Sequence, residues 1–155
     1  MDEYLLEGEA EYDVFKFLSV GGTYRFEINP RKTKSTEYFH RYSFNTKLEK
    51  DFNRFESSFR LRYSNYADDE ITDKSFLRYK VKLDYDIRNF KLTPTVAVEA
   101  FQDLNENNLF KMRYTAGFDY KLFKKNFLSV DYKFDYYNQQ YKNRHIFSVG
   151  YKIKF

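Results

Sequence analysis

The side chains of this chain that could do chemistry occupy alternate positions. Glu7, Glu9 and Glu11 recur at a spacing of two, as do Arg25 and Glu27, Arg60 and Arg62, and Lys111 and Arg113. The runs Arg78-Lys80-Lys82-Asp84-Asp86 and Asp131-Lys133-Asp135 keep the same step, and Arg41, Lys47, Glu56, Glu99, Asp119 and Lys121 belong to the same set. On one face of a structure, carboxylates and cations at this density can pair, hold water or line a narrow ion path. Left unpaired in an enclosed interior, each would be costly. Because the signs interleave, they form no basic stripe for nucleic acid.

Other candidates are sparser. His40 and His145 stand on the opposite, apolar parity, whereas Ser43 and Ser148 fall on the charged one. Membrane lipid hydrolases set a His beside a Ser, so these histidines read as ring-belt residues and lipid hydrolysis as a distant alternative. Neither has metal-ligand spacing to another His, and there is no Cys. Asp68-Asp69-Glu70 could hold Ca²⁺ or bridge lipopolysaccharide through divalent ions, although a solvated loop tip is the plainer reading. Arg31-Lys32-Thr33-Lys34 could meet lipid phosphates, against an ordinary basic loop. There is no glycine-rich phosphate loop and no nucleophile elbow. No catalytic residue, cofactor or metal is expected, and the chain does not read as an enzyme.

A spacing of two requires strands, because successive β side chains point to opposite faces. From Phe110 to Leu122, Phe110, Met112, Tyr114, Ala116, Phe118, Tyr120 and Leu122 share one parity, and Lys111, Arg113, Thr115, Gly117, Asp119 and Lys121 the other. A period of 2 rather than 3.6 argues against an amphipathic helix there. The same reading predicts nine strands: Tyr4–Val14, Phe17–Asn29, Glu37–Glu49, Phe52–Ser64, Ser75–Ile87, Phe90–Gln102, Phe110–Leu122, Asn126–Tyr136 and Arg144–Phe155. Pro94 lacks a ladder donor and is expected near a strand end or bulge. Tight turns are predicted near Phe15–Lys16, Lys50–Asp51, Arg88–Asn89 and Lys124–Lys125. Longer polar loops are predicted at Pro30–Thr36, Asn65–Lys74, Asp103–Asn108 and Tyr137–Asn143.

Short turns on one rim and longer loops on the other are the pattern of outer-membrane barrels. Strands of about 12 residues, tilted near 40°, span roughly 30 Å, enough for an outer-membrane hydrocarbon band. The 155 residues suit one domain, residues 1–155. Tyr (16) and Phe (18) dominate the apolar set, which suits strands and membrane interfaces. The mean hydropathy of −0.81 does not oppose this, since only alternate residues would face lipid. No apolar run reaches the ~18 residues of a membrane helix. The last strand ends on Phe155, which reads as a barrel-insertion signal. Counted back from a periplasmic end, the first strand starts on the wrong side for an exported barrel, and bacterial barrels have even strand counts. Met1-Asp2-Glu3 opens with no basic and apolar leader. The expectation is that a first strand and a signal peptide are missing and that the intact protein has about ten strands.

The segments Gly21-Gly22-Thr23-Tyr24-Arg25-Phe26, KLDYDIRNFKLTPTVAVEAF (Lys82 to Phe101), KMRYTAGFDYKLFKKNFLSVDYKF (Lys111 to Phe134) and NRHIFSVGYKIKF (Asn143 to Phe155) resemble the outer-membrane family catalogued as domain of unknown function 2490. The likeness covers nearly the whole chain, and the Leu92-Thr93-Pro94 step before a small-residue strand is its most distinctive part. The resemblance implies an outer-membrane barrel and no particular activity.

The expected molecule is an all-β, up-and-down antiparallel transmembrane barrel in the bacterial outer membrane, structural or a narrow, porin-like pore. Its expected partners are outer-membrane lipids, lipopolysaccharide and the barrel-assembly machinery, with no nucleic acid. Its charged lumen is expected to be lined by Glu7, Glu9, Glu11, Arg25, Glu27, Arg41, Glu56, Arg60, Arg62, Arg78, Lys80, Lys82, Asp84, Glu99, Lys111, Arg113, Asp119, Asp131 and Lys133. The alternative is a soluble lipocalin-like barrel, with Tyr and Phe around an internal apolar ligand and the charges in water.

Overall fold

The alternation of ring and charge folds into nine strands and no helix among the described residues. The computed structural model describes residues 4–29, 36–66, 74–123, 126–138 and 141–153, with the backbone alone for Asn29 and Lys152. The strands are β1 (Tyr4–Phe15), β2 (Leu18–Asn29), β3 (Glu37–Phe52), β4 (Phe55–Ser64), β5 (Phe76–Tyr85), β6 (Leu92–Asp103), β7 (Asn108–Phe123), β8 (Asn126–Tyr137) and β9 (Arg144–Ile153). They form one sheet in chain order, every ladder antiparallel. The sheet curls strongly into an open half-barrel, and among the described residues β1 and β9 each pair on one side only.

Three connections differ from the sequence reading. The turn expected at Lys50–Asp51 falls at Asn53–Arg54, because Phe52 pairs with Phe55 and extends the ladder. Asn53 accepts the left-handed φ of 57° that so short a connection needs. The loop expected at Asp103–Asn108 is a compact turn over Leu104–Asn107. There Asp103 Oδ1 accepts the N–H groups of Asn105 (2.8 Å) and Glu106 (3.2 Å), and Asn107 takes φ 54°. Strand β2 starts at Leu18 rather than Phe17, after a turn over Lys16–Phe17. Pro94 lies beyond the β5–β6 ladder, which begins at the Asp84–Thr95 pair, so its missing N–H removes nothing from that ladder.

The β6–β7 ladder also carries a bulge. The register runs Phe101↔Lys111 and then Gln102↔Leu109, leaving Phe110 as the extra residue. A bulge shifts parity, so Phe110 and Lys111 are both buried. This corrects the expectation that Phe110 shares the face of Met112 and Tyr114. Phe110 instead joins Phe76, Phe101 and Tyr137 in the one apolar cluster among the described buried residues.

Candidate functional site

The two faces of the half-barrel are unlike. On the outer face Phe147, Val149 and Phe44 keep 78%, 73% and 63% of their surface exposed, and Tyr24, Tyr38, Tyr114, Val81 and Tyr151 stand out in the same way. On the inner face Arg78, Glu99 and Lys111 keep 3%, 3% and 0%. Curling the sheet brings inner side chains from non-adjacent strands together, so Arg60 on β4 reaches past β5 to Glu99 on β6 at 3.3 Å.

Three inner carboxylates organise the cations. Glu27 meets Arg41 Nε at 2.9 Å and Arg25 at 3.5 Å. Glu99 meets Arg78 at 2.9 Å as well as Arg60. Asp135, with no exposed surface, takes Arg113 through Nε at 2.6 Å and through a terminal nitrogen at 2.7 Å, and also Lys111 (3.3 Å) and Arg144 (3.4 Å). The register sets these meetings, since Glu99 faces Arg113 on β7 and Arg113 faces Asp135 on β8. Two parallel N–H bonds to one carboxylate give the Arg113–Asp135 pair a fixed orientation. Arg25 also meets Glu7 at 2.6 Å, and Lys82 meets Asp84 at 2.6 Å.

Rings close the inner face near the longer loops. Phe110 packs edge-on against Tyr137 (centroids 5.7 Å apart) and tilted against Phe76 (5.1 Å). Below them, Arg78 and Lys111 lie 4.2 and 4.5 Å from the Phe101 centroid, placing cations on a π face. Tyr66, in the segment after β4, is 2% exposed. It sits among Arg25, Arg41 and Arg62, each 5.4–5.9 Å from its ring centroid, and Arg62 donates to its hydroxyl at 2.8 Å. Sequence reasoning missed Tyr66 because it falls outside any alternating run. A large ring two residues past a strand end was the one signal available. Beyond the ring layer, the inner face opens into a polar cleft of ≈ 390 Å³ that Arg60, Arg78, Lys80, Glu99, Arg113 and Lys133 line with Arg25, Thr115, Ile146 and Ser148.

Of the residues expected to line a lumen, Glu27, Arg41, Arg78, Asp84, Glu99, Lys111 and Arg113 are buried. Arg25, Arg60, Arg62, Lys80, Lys82, Asp119, Asp131 and Lys133 are half-buried on the same face. Glu7, Glu9 and Glu11 stand on the open edge strand β1 and are exposed, as is Glu56 beside the Asn53–Arg54 turn. His40 and His145 are exposed on the outer face, each with Nδ1 close to a tyrosine hydroxyl: Tyr24 at 2.7 Å and Tyr132 at 2.6 Å. Ser43 is buried on the inner face, and Ser148 lines the cleft. The Asp68-Asp69-Glu70 cluster, the Arg31–Lys34 run, the Lys124–Lys125 turn and Phe155 lie outside the described residues.

A loop-end ion cluster completes the arrangement. Lys74 reaches Asp103 at 2.7 Å and Glu106 at 2.6 Å. Held first by Asp103 and then by Glu106, the Lys74 ammonium is pushed up to about 12. Glu106 lies below the ordinary glutamate value, chiefly through Lys74 and then Asn108. Among the described residues, no three His, Cys, Asp or Glu side chains gather as metal ligands.

The model of a family described as protein of unknown function (DUF2490) matches residues 1–153. Comparisons with curated proteins and with solved structures give no match.

Proposed function

The chain belongs to the DUF2490 family, and from that premise we propose that it is an outer-membrane β-barrel protein of structural type, its lumen filled by ion pairs and rings. The observation that carries this reading is the polarity of the sheet: rings and aliphatic side chains face outward while the ionic groups turn inward. In water, a face of so many exposed rings is a liability, and in a bilayer it is the required surface. The tyrosine–histidine pairs near the loop end of the outer face suit an interfacial belt. A carrier of lipocalin type would need its rings around a cavity and its charges outside, the reverse arrangement. A narrow pore is the second reading, favoured by the polar cleft and opposed by the ring layer of Phe76, Phe101, Phe110 and Tyr137.

Closure belongs to the same proposal. Strands β1 and β9 run in the same direction, so one further strand running the other way would pair antiparallel with both and make the count even. The experiment is gel mobility of detergent-folded protein with and without boiling. A folded form that migrates differently from the boiled one, and that precipitates when detergent is withdrawn, is the expected result. A monodisperse, detergent-free monomer would overturn the proposal.

A further inference from the structure

The inner carboxylates are oversubscribed. Glu27 and Glu99 each serve two arginines, and Asp135 serves Lys111, Arg113 and Arg144. Two lysines on the same face are left over. Lys80 on β5 faces Arg60 and Glu99 in register, but that carboxylate already holds Arg60 and Arg78. Lys133 on β8 faces Thr115 and Ile146. Neither lysine makes an ion pair or a side-chain hydrogen bond among the described residues. Both line the polar cleft, whose walls bring Arg25, Arg60, Arg78, Lys80, Arg113 and Lys133 against Glu99, the sole acid lining it among the described residues.

A recess with this excess of positive charge attracts a counter-anion, because like charges gathered on the walls of one cleft raise the local anion concentration. We propose that the cleft binds a compact oxyanion of charge two or more, of the inorganic phosphate or phosphate-monoester type, with Lys80 and Lys133 as the free donors. An ammonium offers three donors and no acceptor, so an oxyanion meets each lysine without leaving an acceptor facing it. A dianion neutralises both lysines where chloride neutralises one. The cleft volume is that of a small-ligand site. The arginines already in place set the field, and their forks stay on Glu99 and Asp135. The inference stands whether the outer face meets lipid or water, since it uses the inner face alone.

The experiment is acetylation footprinting of the detergent-folded full chain, read lysine by lysine by mass spectrometry, with calorimetry beside it. Inorganic phosphate should protect Lys80 and Lys133 saturably, and chloride or acetate at equal ionic strength should not. Lys80→Met and Lys133→Met should each weaken the calorimetric affinity tenfold or more, while Lys80→Arg stays within threefold of the parent. The footprint needs no variant, so a misfolded substitution leaves the proposal testable. Absence of saturable protection would overturn it. Protection by phosphatidic acid in the micelle but not by free phosphate would also overturn it, because the donors would then lie within reach of a lipid headgroup.

Discussion

Asp135→Asn keeps the shape of a side chain with no exposed surface and removes the charge that Lys111, Arg113 and Arg144 share. Breaking a buried pair from one side strands its partner charges, so the substitution should cost about 3–5 kcal/mol. Urea titration of protein folded in lipid vesicles checks this, read by tyrosine fluorescence because the chain has no Trp. An unchanged midpoint would mean that water already solvates the cations. The Lys74 cluster sets a pH window. Its lysine is raised above 10.5, so that stabilisation is complete below 10.5 and fades as pH climbs through about 12. Glu106 is lowered below 4.5, so its share is complete above 4.5 and is lost as pH falls through the lower folded value. The bridge should therefore hold between those limits. The Glu106 carboxyl carbon, followed by NMR, should titrate with a midpoint below 4.5. A midpoint at or above that value would remove the bridge from solution. The charged inner residues could be read from spacing alone, because period two assigns a face. Their sharing of carboxylates could not, because Arg60 meets Glu99 across a whole intervening strand and only curvature brings them together.

At the scale of the element, close approach decides which residues are tolerated. A Cβ on Gly117 of β7 would overlap Asp131 Oδ1 and the Val130 carbonyl oxygen on β8. Gly117→Ala should therefore lose about 1–3 kcal/mol through forced displacement, seen as a lower urea midpoint. A stability equal to the parent would mean that Asp131 swings away freely. The strands could be read to within a few residues because ring and charge alternate through most of them, β6 with its small side chains being the least regular. The departures have local causes. Phe110 turned inward because a bulge adds one residue and reverses parity, which pattern reading cannot see. The β3–β4 hairpin closed at Asn53 because an asparagine can hold a left-handed backbone, while the nearby Lys50–Asp51 pair merely looked polar enough for a turn. Tyr66 belongs to no strand, so no alternation announced it.

For the whole molecule, the decisive quantity is what surrounds the outer face. Val81 lies near the middle of β5, is 57% exposed and points outward. If that face meets acyl chains, Val81→Arg should cost about 2–4 kcal/mol, the penalty for arginine near a bilayer midplane. If it meets water, the change should stay within about 0.5 kcal/mol. Urea midpoints in vesicles separate the two, and the smaller value would refute the membrane reading. The sheet order carries one more consequence, for kinetics. Each strand finds its partner in the next segment of chain, so no ladder waits for a distant encounter. Contact order is low for an all-β protein, and even the longest connection, residues 65–75 between β4 and β5, adds little to the cost of closure, which grows only with the logarithm of loop length. Assembly can advance as a zipper, one strand at a time from whichever hairpin forms first, so that every ladder seen among the described residues forms without a search across the polypeptide.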